Sequence, residues 1–188
     1  MRELTYYVAV SLDGYIAAPD GSFDAFPVEG DHMAALISEY ADTIPGHIAG
    51  ALGITAGAQR FDTVLMGWNT YEVGLKEGVA SPYPHLRQIV ASRERTIDVD
   101  GIEATNDPVG VVRELKKEPG SGIWLCGGGS LAGALVPEID RLVLKVNPIV
   151  LGAGIPLFAG RYEPQPFARL ATRAFQSGVV MNEYRRVA

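Results

Sequence analysis

The chain has 188 residues, 47% hydrophobic and 20% charged, with a net charge of −6. That is enough apolar material for the core of a single domain spanning residues 1–188, while the negative balance sets nucleic acid and anionic membrane surfaces aside as partners. No apolar run approaches the roughly 18 residues of a membrane span, Met1 to Val10 lacks a basic-then-apolar leader, and a cytoplasmic location is the expectation.

The only cysteine, Cys126, has no partner for an internal disulfide, and His32, His47 and His85 show no ligand spacing with it. No metal site is expected. In chain order, Leu4 to Ser11 reads as a strand ended by Asp13-Gly14, and the spacing of Met33, Leu36, Ile37 and Tyr40 after Asp31 predicts a helix. Gly46 to Arg60 carries no clear pattern. Asp62 to Met66 is a strand closed by Gly67, after which Asn69-Thr70-Tyr71-Glu72 has the look of a capped helix start. Gln88 to Ala91 is a further strand, and Asn106-Asp107-Pro108 supplies a cap and a first-turn proline for a helix to about Lys117.

Ile123 to Cys126 is the next strand, and Gly127-Gly128-Gly129-Ser130 leads from it into Leu131, Leu135 and Val136 at helical spacing. Arg141 to Asn147 and Ile149 to Leu151 read as strand. Ala168 to Phe175 and Val179 to Arg186 flank Gln176-Ser177-Gly178 as a hairpin. The alternation predicts an α/β domain, three-layer αβα, with a mixed, mostly parallel central sheet and a C-terminal antiparallel hairpin.

Ligands of such sheets collect beyond the carboxyl ends of the strands, which singles out the junctions at Asp13, Gly67 and Gly127. At Gly127, Gly128, Gly129, Ser130 and Leu131 the order strand, glycines, helix suits close approach of a phosphate to the backbone, although tight packing alone would also use glycine. Gly127, Gly129 and Ala132 match G-x-G-x-x-A, but Asn147 stands where a dinucleotide fold would place its acid. Gly67, Trp68, Asn69 and Thr70 offer a second cradle, in which Asn69 and Thr70 would bind phosphate or cap the helix, and Trp68 would stack on a flat ring or fill space. Ser92 and Arg93, with Arg95, follow a strand end where a hydroxyl and a guanidinium can hold a ribose 2′-phosphate; the alternative is a solvated charged loop. Ser11 and Asp13 are candidate catalytic residues, with a plain turn as the alternative for Asp13-Gly14. Lys145 interrupts an apolar strand, and a solvent-facing side chain is expected there rather than a cation in a pocket.

Taken together, Ser11-Leu12-Asp13-Gly14-Tyr15-Ile16-Ala17 and Val64-Leu65-Met66-Gly67 with Thr70-Tyr71-Glu72 resemble the dihydrofolate-reductase-like fold. Gly127 to Leu131, Asp140-Arg141-Leu142, Pro148 and Leu151-Gly152-Ala153-Gly154-Ile155-Pro156-Leu157-Phe158 resemble the C-terminal reductase domain of the bifunctional riboflavin-biosynthesis enzyme. The resemblance covers nearly the whole chain and implies NADPH, its pyrophosphate against the Gly67 and Gly127 turns and its 2′-phosphate by Ser92 and Arg93. It also implies a homodimer, to which Leu151 to Phe158 would contribute unless that segment is internal.

Relatives commonly carry an arginine where this chain has Trp68, a loss worth about 1.5–3 kcal/mol unless Arg93 or Arg95 compensates. The early helix offers no carboxylate matching the pterin-binding acid of dihydrofolate reductases, and the zinc-ligand cysteines of a deaminase domain are lacking, so a diverged substrate is expected. The resulting expectation is an NADPH-dependent reductase acting on a small C=N or C=O compound, with pyrimidine- or pterin-like compounds among the candidates; the alternative is a non-catalytic dinucleotide- or small-ligand-binding protein on the same scaffold.

Overall fold

A computed structural model describes residues 1–187. The elements run β1 (Leu4–Val10), β2 (Tyr15–Ala17), α1 (His32–Glu39), α2 (Gly46–Ala51), β3 (Phe61–Gly67), α3 (Trp68–Lys76), β4 (Arg87–Ala91) and β5 (Ile102–Thr105). They continue as α4 (Pro108–Leu115), β6 (Gly122–Gly127), α5 (Gly129–Leu135), β7 (Arg141–Val146), β8 (Ile155–Pro156), β9 (Phe167–Ala174) and β10 (Val180–Arg186). Eight strands form one sheet in the order β5-β4-β3-β6-β1-β7-β10-β9. Neighbours from β5 to β7 are parallel, and β10 pairs antiparallel with both β7 and β9. β2 and β8 pair separately as a short antiparallel ribbon.

The period of two along each strand divides the core into two layers. Leu4, Tyr6, Leu65, Ile89, Ile123, Leu125 and Leu142 face one side, where α4 and α5 cover them with Val112, Leu115, Leu131, Ala132 and Leu135. Val64, Met66, Val90, Trp124 and Val143 face the other, under Leu36 and Tyr40 of the α1 region and Tyr71 of α3. This is the three-layer arrangement with a mixed, mostly parallel sheet. The amino-terminal edge is closed by polar side chains: buried Arg2 pairs with Asp62 and donates to Thr63 Oγ1 at 2.7 Å and to the Ser121 carbonyl at 2.9 Å. No helix among the described residues is long and apolar enough to cross a membrane.

Local chemistry explains most boundaries. The Asp107 carboxylate accepts from Gly110 N at 2.9 Å and Pro108 opens α4, as the sequence predicts, though the helix ends at Leu115 rather than about Lys117. α3 corrects an expectation: it begins at Trp68, its N-cap is Gly67, and no side chain caps it, so Asn69 and Thr70 are already inside the first turn. The strand expected at Ile149 to Leu151 is loop. Pro148 has no N–H to give a ladder, Ile149 N turns back to Asn147 O at 2.8 Å, and the amides of Leu151 and Gly152 go to Asp13. β2, β5, β8 and α2 lie outside the expectations; β5 buries only Ile102, so it lacks the apolar run that marks a strand.

Candidate functional site

The candidate residues gather along the carboxyl ends of β1, β3, β4 and β6. Gly67 ends β3 and Gly127 ends β6, and the two turns lie against each other: a Cβ built on Gly67 would sit 3.5 Å from both Gly127 O and Gly128 N. The Gly127-Gly128 peptide is cis. Gly127 has φ +144°, a region that side-chain-bearing residues rarely enter. Thr70 Oγ1 lies over this turn, 3.7 Å from the position a Cβ would take on either Gly127 or Gly128. At Gly129 a Cβ would collide with the Pro156 carbonyl, and Ala159 N donates to Gly129 O at 2.9 Å. The glycines therefore serve both readings: Gly129 is held by packing, while near the Cβ positions of buried Gly127 and half-buried Gly128 only Thr70 Oγ1 lies within 4 Å. Ser130 is exposed and Leu131 buried in the core.

The amides that open α3 have no side-chain cap, so their partial positive charge faces the carboxyl edge of the sheet. Trp68, the first residue of α3, does two things. Its ring packs edge-on to Tyr71 with centroids 5.9 Å apart, and Arg95 lays its guanidinium over the ring at 4.4 Å. Trp68 Nε1 donates to Glu72 Oε1 at 3.1 Å, and Glu72 stands 3.8 Å from Arg95 Nη1. Lys76 and Trp68 hold the Glu72 carboxyl below its usual range. Ser92 is tied in by its own amide, which donates to Thr105 O at 2.9 Å, while its hydroxyl accepts from Arg95 N at 3.0 Å. Arg93 is exposed, as are Asn69 and Arg95. Of the two arginines named from the sequence, Arg95 and not Arg93 is the one this loop orders.

Ser11 and Asp13 meet at the end of β1. Ser11 is buried and its hydroxyl donates to Asp13 Oδ1 at 2.6 Å while accepting from Tyr15 N at 2.9 Å. The Asp13 carboxylate also accepts from Leu151 N at 3.1 Å and Gly152 N at 2.7 Å. Ser11 first, then these amides, lower the Asp13 pKa from its ordinary value. An exposed carboxylate held as the anion by three donors clamps the 148–152 loop to the β1 turn and has no proton to give at neutral pH.

On the face that α1 and α3 cover, Tyr7 stacks on Tyr40 with ring centroids 4.5 Å apart. Tyr7 and Ala9 of β1 and Cys126 of β6 belong to two central strands of the sheet, yet all three are only partly buried. Burial pushes the Cys126 thiol up to about 12, with Tyr83 opposing as the smaller effect. Lys145 corrects the solvent-facing expectation: it is half-buried on this same face, paired across from Ala9 and Met181, and burial lowers its pKa. Its partial burial was not legible in the strand pattern, because period two says which face a side chain takes but not whether a helix covers that face. The Leu151 to Phe158 segment is anchored at its end, where Leu157 N donates to Gly14 O at 2.9 Å and Phe158 packs on Tyr6 with centroids 5.5 Å apart, while Val150, Gly152, Ala153 and Pro156 are exposed.

The family model for the RibD C-terminal domain matches residues 2–181. Among curated proteins, the chain is 32% identical over 164 residues to the uncharacterized protein YwjB of Bacillus subtilis (strain 168), covering 84% of this chain and 83% of that one. It is 26% identical over 197 residues to the uncharacterized protein YyaP of the same organism, covering 97% and 94%. Among solved structures, a putative riboflavin biosynthesis protein from Shewanella sp. PV-4 superposes with a TM-score of 0.73 at 22% identity over 100% of both chains. The dihydrofolate reductase from Enterococcus faecalis complexed with NADP(H) and RAB-propyl superposes with a TM-score of 0.67 at 16% identity, covering 99% of this chain and 97% of the other. These likenesses establish a dihydrofolate-reductase-like fold.

Proposed function

Because the chain belongs to the RibD C-terminal domain family, we propose that it is an NADPH-dependent reductase of a small C=N or C=O compound, folding as one domain and working as a homodimer in the cytoplasm. The observation that carries this reading is the bare contact of the Gly67 and Gly127-Gly128 turns beside Thr70 and the uncapped start of α3. A cofactor pyrophosphate would fit there: Gly67 and Gly128, both half-buried, let a phosphate approach the backbone, the uncapped amides of α3 complement its oxygens, and the Thr70 hydroxyl adds a donor. Trp68, Asn69, Ser130 and Leu131 would line the two turns. Ser92, Arg93 and Arg95 would hold the 2′-phosphate.

When bound, NADPH supplies a hydride from its nicotinamide. The chain's own residues would orient it: the Gly67 and Gly127 turns would hold it, and the Ser11–Asp13 pair, with Leu151 and Gly152, fixes the neighbouring loops. Asp13, as a stabilised anion, acts here by positioning. A binding protein without turnover is the second reading, favoured by the absence of an acid at Asp13 able to protonate a reduced product.

Fluorescence titration with NADPH and, separately, NADH at fixed salt tests the proposal, with Trp68 and Trp124 as reporters. Micromolar NADPH binding with much weaker NADH binding is expected, followed by NADPH oxidation with some member of a carbonyl and imine panel. Failure of both nucleotides to bind would remove the reductase reading. Binding without turnover on any substrate would favour the second.

A further inference from the structure

Three contacts tie the start of α1 to the tip of the β9–β10 hairpin. The Asp31 carboxylate accepts from Gln176 N at 2.7 Å and Ser177 N at 3.0 Å. His32 Nδ1 meets Ser177 Oγ at 3.0 Å. Gly30, with φ +130°, comes so close that a Cβ on it would lie 2.9 Å from Ser177 Cβ. His32 and Ser177 are 145 residues apart in the chain, so the clasp is made by tertiary packing alone.

His32 is the member of the clasp whose ordinary titration lies nearest neutrality, and it is fully buried. Its Nε2 is buried with no hydrogen-bond partner among the described residues. In the neutral ring one nitrogen donates and the other accepts, and with either tautomer only Nδ1 is satisfied here. In the imidazolium both donate, which makes Nε2–H a buried, charged donor without an acceptor. The groups around the ring do not offset that cost. Burial first, then the like charge of Lys145 on β7, lower the His32 pKa; the Pro27 carbonyl, outside hydrogen-bond geometry, and the Asp31 charge act the other way more weakly. On β9, Phe175 packs edge-on to the ring with centroids 6.2 Å apart. Arg173, over the Phe175 ring at 5.1 Å, is paired with Glu39 at 2.6 Å, and on β10 the residue opposite Lys145 is the apolar Met181.

We propose that His32 is an acid-released latch: the neutral ring holds the start of α1 to the hairpin tip, and its protonation parts the two and frees the Pro19 to Asp31 loop that leads from β2 into α1. The closed clasp holds the ring neutral, so the clasp is at full strength above the ordinary histidine value of about 6.5. It weakens as pH falls below that value, by up to about tenfold per pH unit until the lower folded pKa is passed. Asp31 acts in a different window. The Gln176 and Ser177 amides lower its pKa, so it stays an anion throughout and lets go only below the ordinary carboxylate range. The latch goes beyond the reductase reading and does not depend on it.

The test is amide hydrogen exchange and histidine NMR on the full chain, without nucleotide, from about pH 7.5 to about pH 5. Exchange at Gln176 and Ser177, corrected for intrinsic rate, should accelerate as pH falls below about 6.5. Leu151 and Gly152, held by Asp13, and Leu125 in the core should keep their protection over the same range. The His32 Cε1–H resonance should titrate below the ordinary histidine range. His32→Gln cannot take the proton and should flatten the profile at Gln176 and Ser177 with unchanged near-UV circular dichroism. Should that variant not fold, Ser177→Ala decides beside the wild type: it should speed Gln176 exchange already at about pH 7.5 and move the His32 titration toward its ordinary value. Exchange at Gln176 and Ser177 that ignores pH, a wild-type His32 that titrates in the ordinary range, or an unchanged profile in His32→Gln overturns the proposal.

Discussion

Replacing Arg95 by Ala tests whether the Trp68 stack supplies the cation that relatives carry on the helix itself. Arg95 is 59% exposed in its side chain, yet it is preset by the Trp68 ring at 4.4 Å, by Glu72 at 3.8 Å and by its amide on Ser92 Oγ at 3.0 Å. The stack contributes about 0.5–1 kcal/mol at an exposed site and lowers the ordering cost of the guanidinium. A charge-assisted bond to a 2′-phosphate is worth about 1.5–3 kcal/mol, which at 1.4 kcal/mol per decade is about ten- to a hundredfold in affinity. Arg95→Ala should therefore weaken NADPH by at least about tenfold and leave NADH unchanged, because NADH lacks the phosphate. Arg93→Ala, removing an arginine without such support, should cost less. Both variants are read by fluorescence titration at one fixed salt concentration, since exposed charges are screened. Equal losses for NADPH and NADH, or no loss in Arg95→Ala, would refute the assignment of the stacked arginine.

Asp13→Asn should speed hydrogen exchange at the Leu151 and Gly152 amides while nucleotide affinity changes little. Because the folded pKa of Asp13 lies below its unfolded value, the clamp is fully present above the ordinary carboxylate range and is lost as pH falls through the folded pKa, so wild-type exchange there, corrected for intrinsic rate, should accelerate only in acid. Leu125, fully buried at the centre of β6, should cost about 2–5 kcal/mol as Leu125→Ala, measured by urea unfolding. Cys126 should label only slowly with a thiol reagent at pH 8 in the folded protein despite partial exposure, since its thiolate is scarce below about pH 12, and rapidly once unfolded. Fast labelling of the native chain would contradict that environment.

The order of strands and helices was readable because each long element carries its own period. Tyr6 and Leu4 alternate with Thr5 and Tyr7, and Asp107-Pro108 announces α4 before any neighbour is known. The glycine turns were legible too, since no other residue type tolerates the Gly127 backbone or the approach of Pro156 to Gly129. Trp68 was readable as a departure and Arg93 or Arg95 as its answer, but not which of the two: Arg95 lies 27 residues further on and reaches the ring from a different strand end. Asp13 was readable as a polar group at a strand end; its role as an anchor depends on amides nearly 140 residues away. The exposure of Lys145 was misread for the same kind of reason. Local sequence determines period, caps and turns, because those are settled within a few residues of chain. Whether a side chain finds a counter-charge, a covering helix or open space is decided by strands and helices packed from distant parts of the chain, and at Lys145 only the tertiary structure could show that the side chain is half-buried.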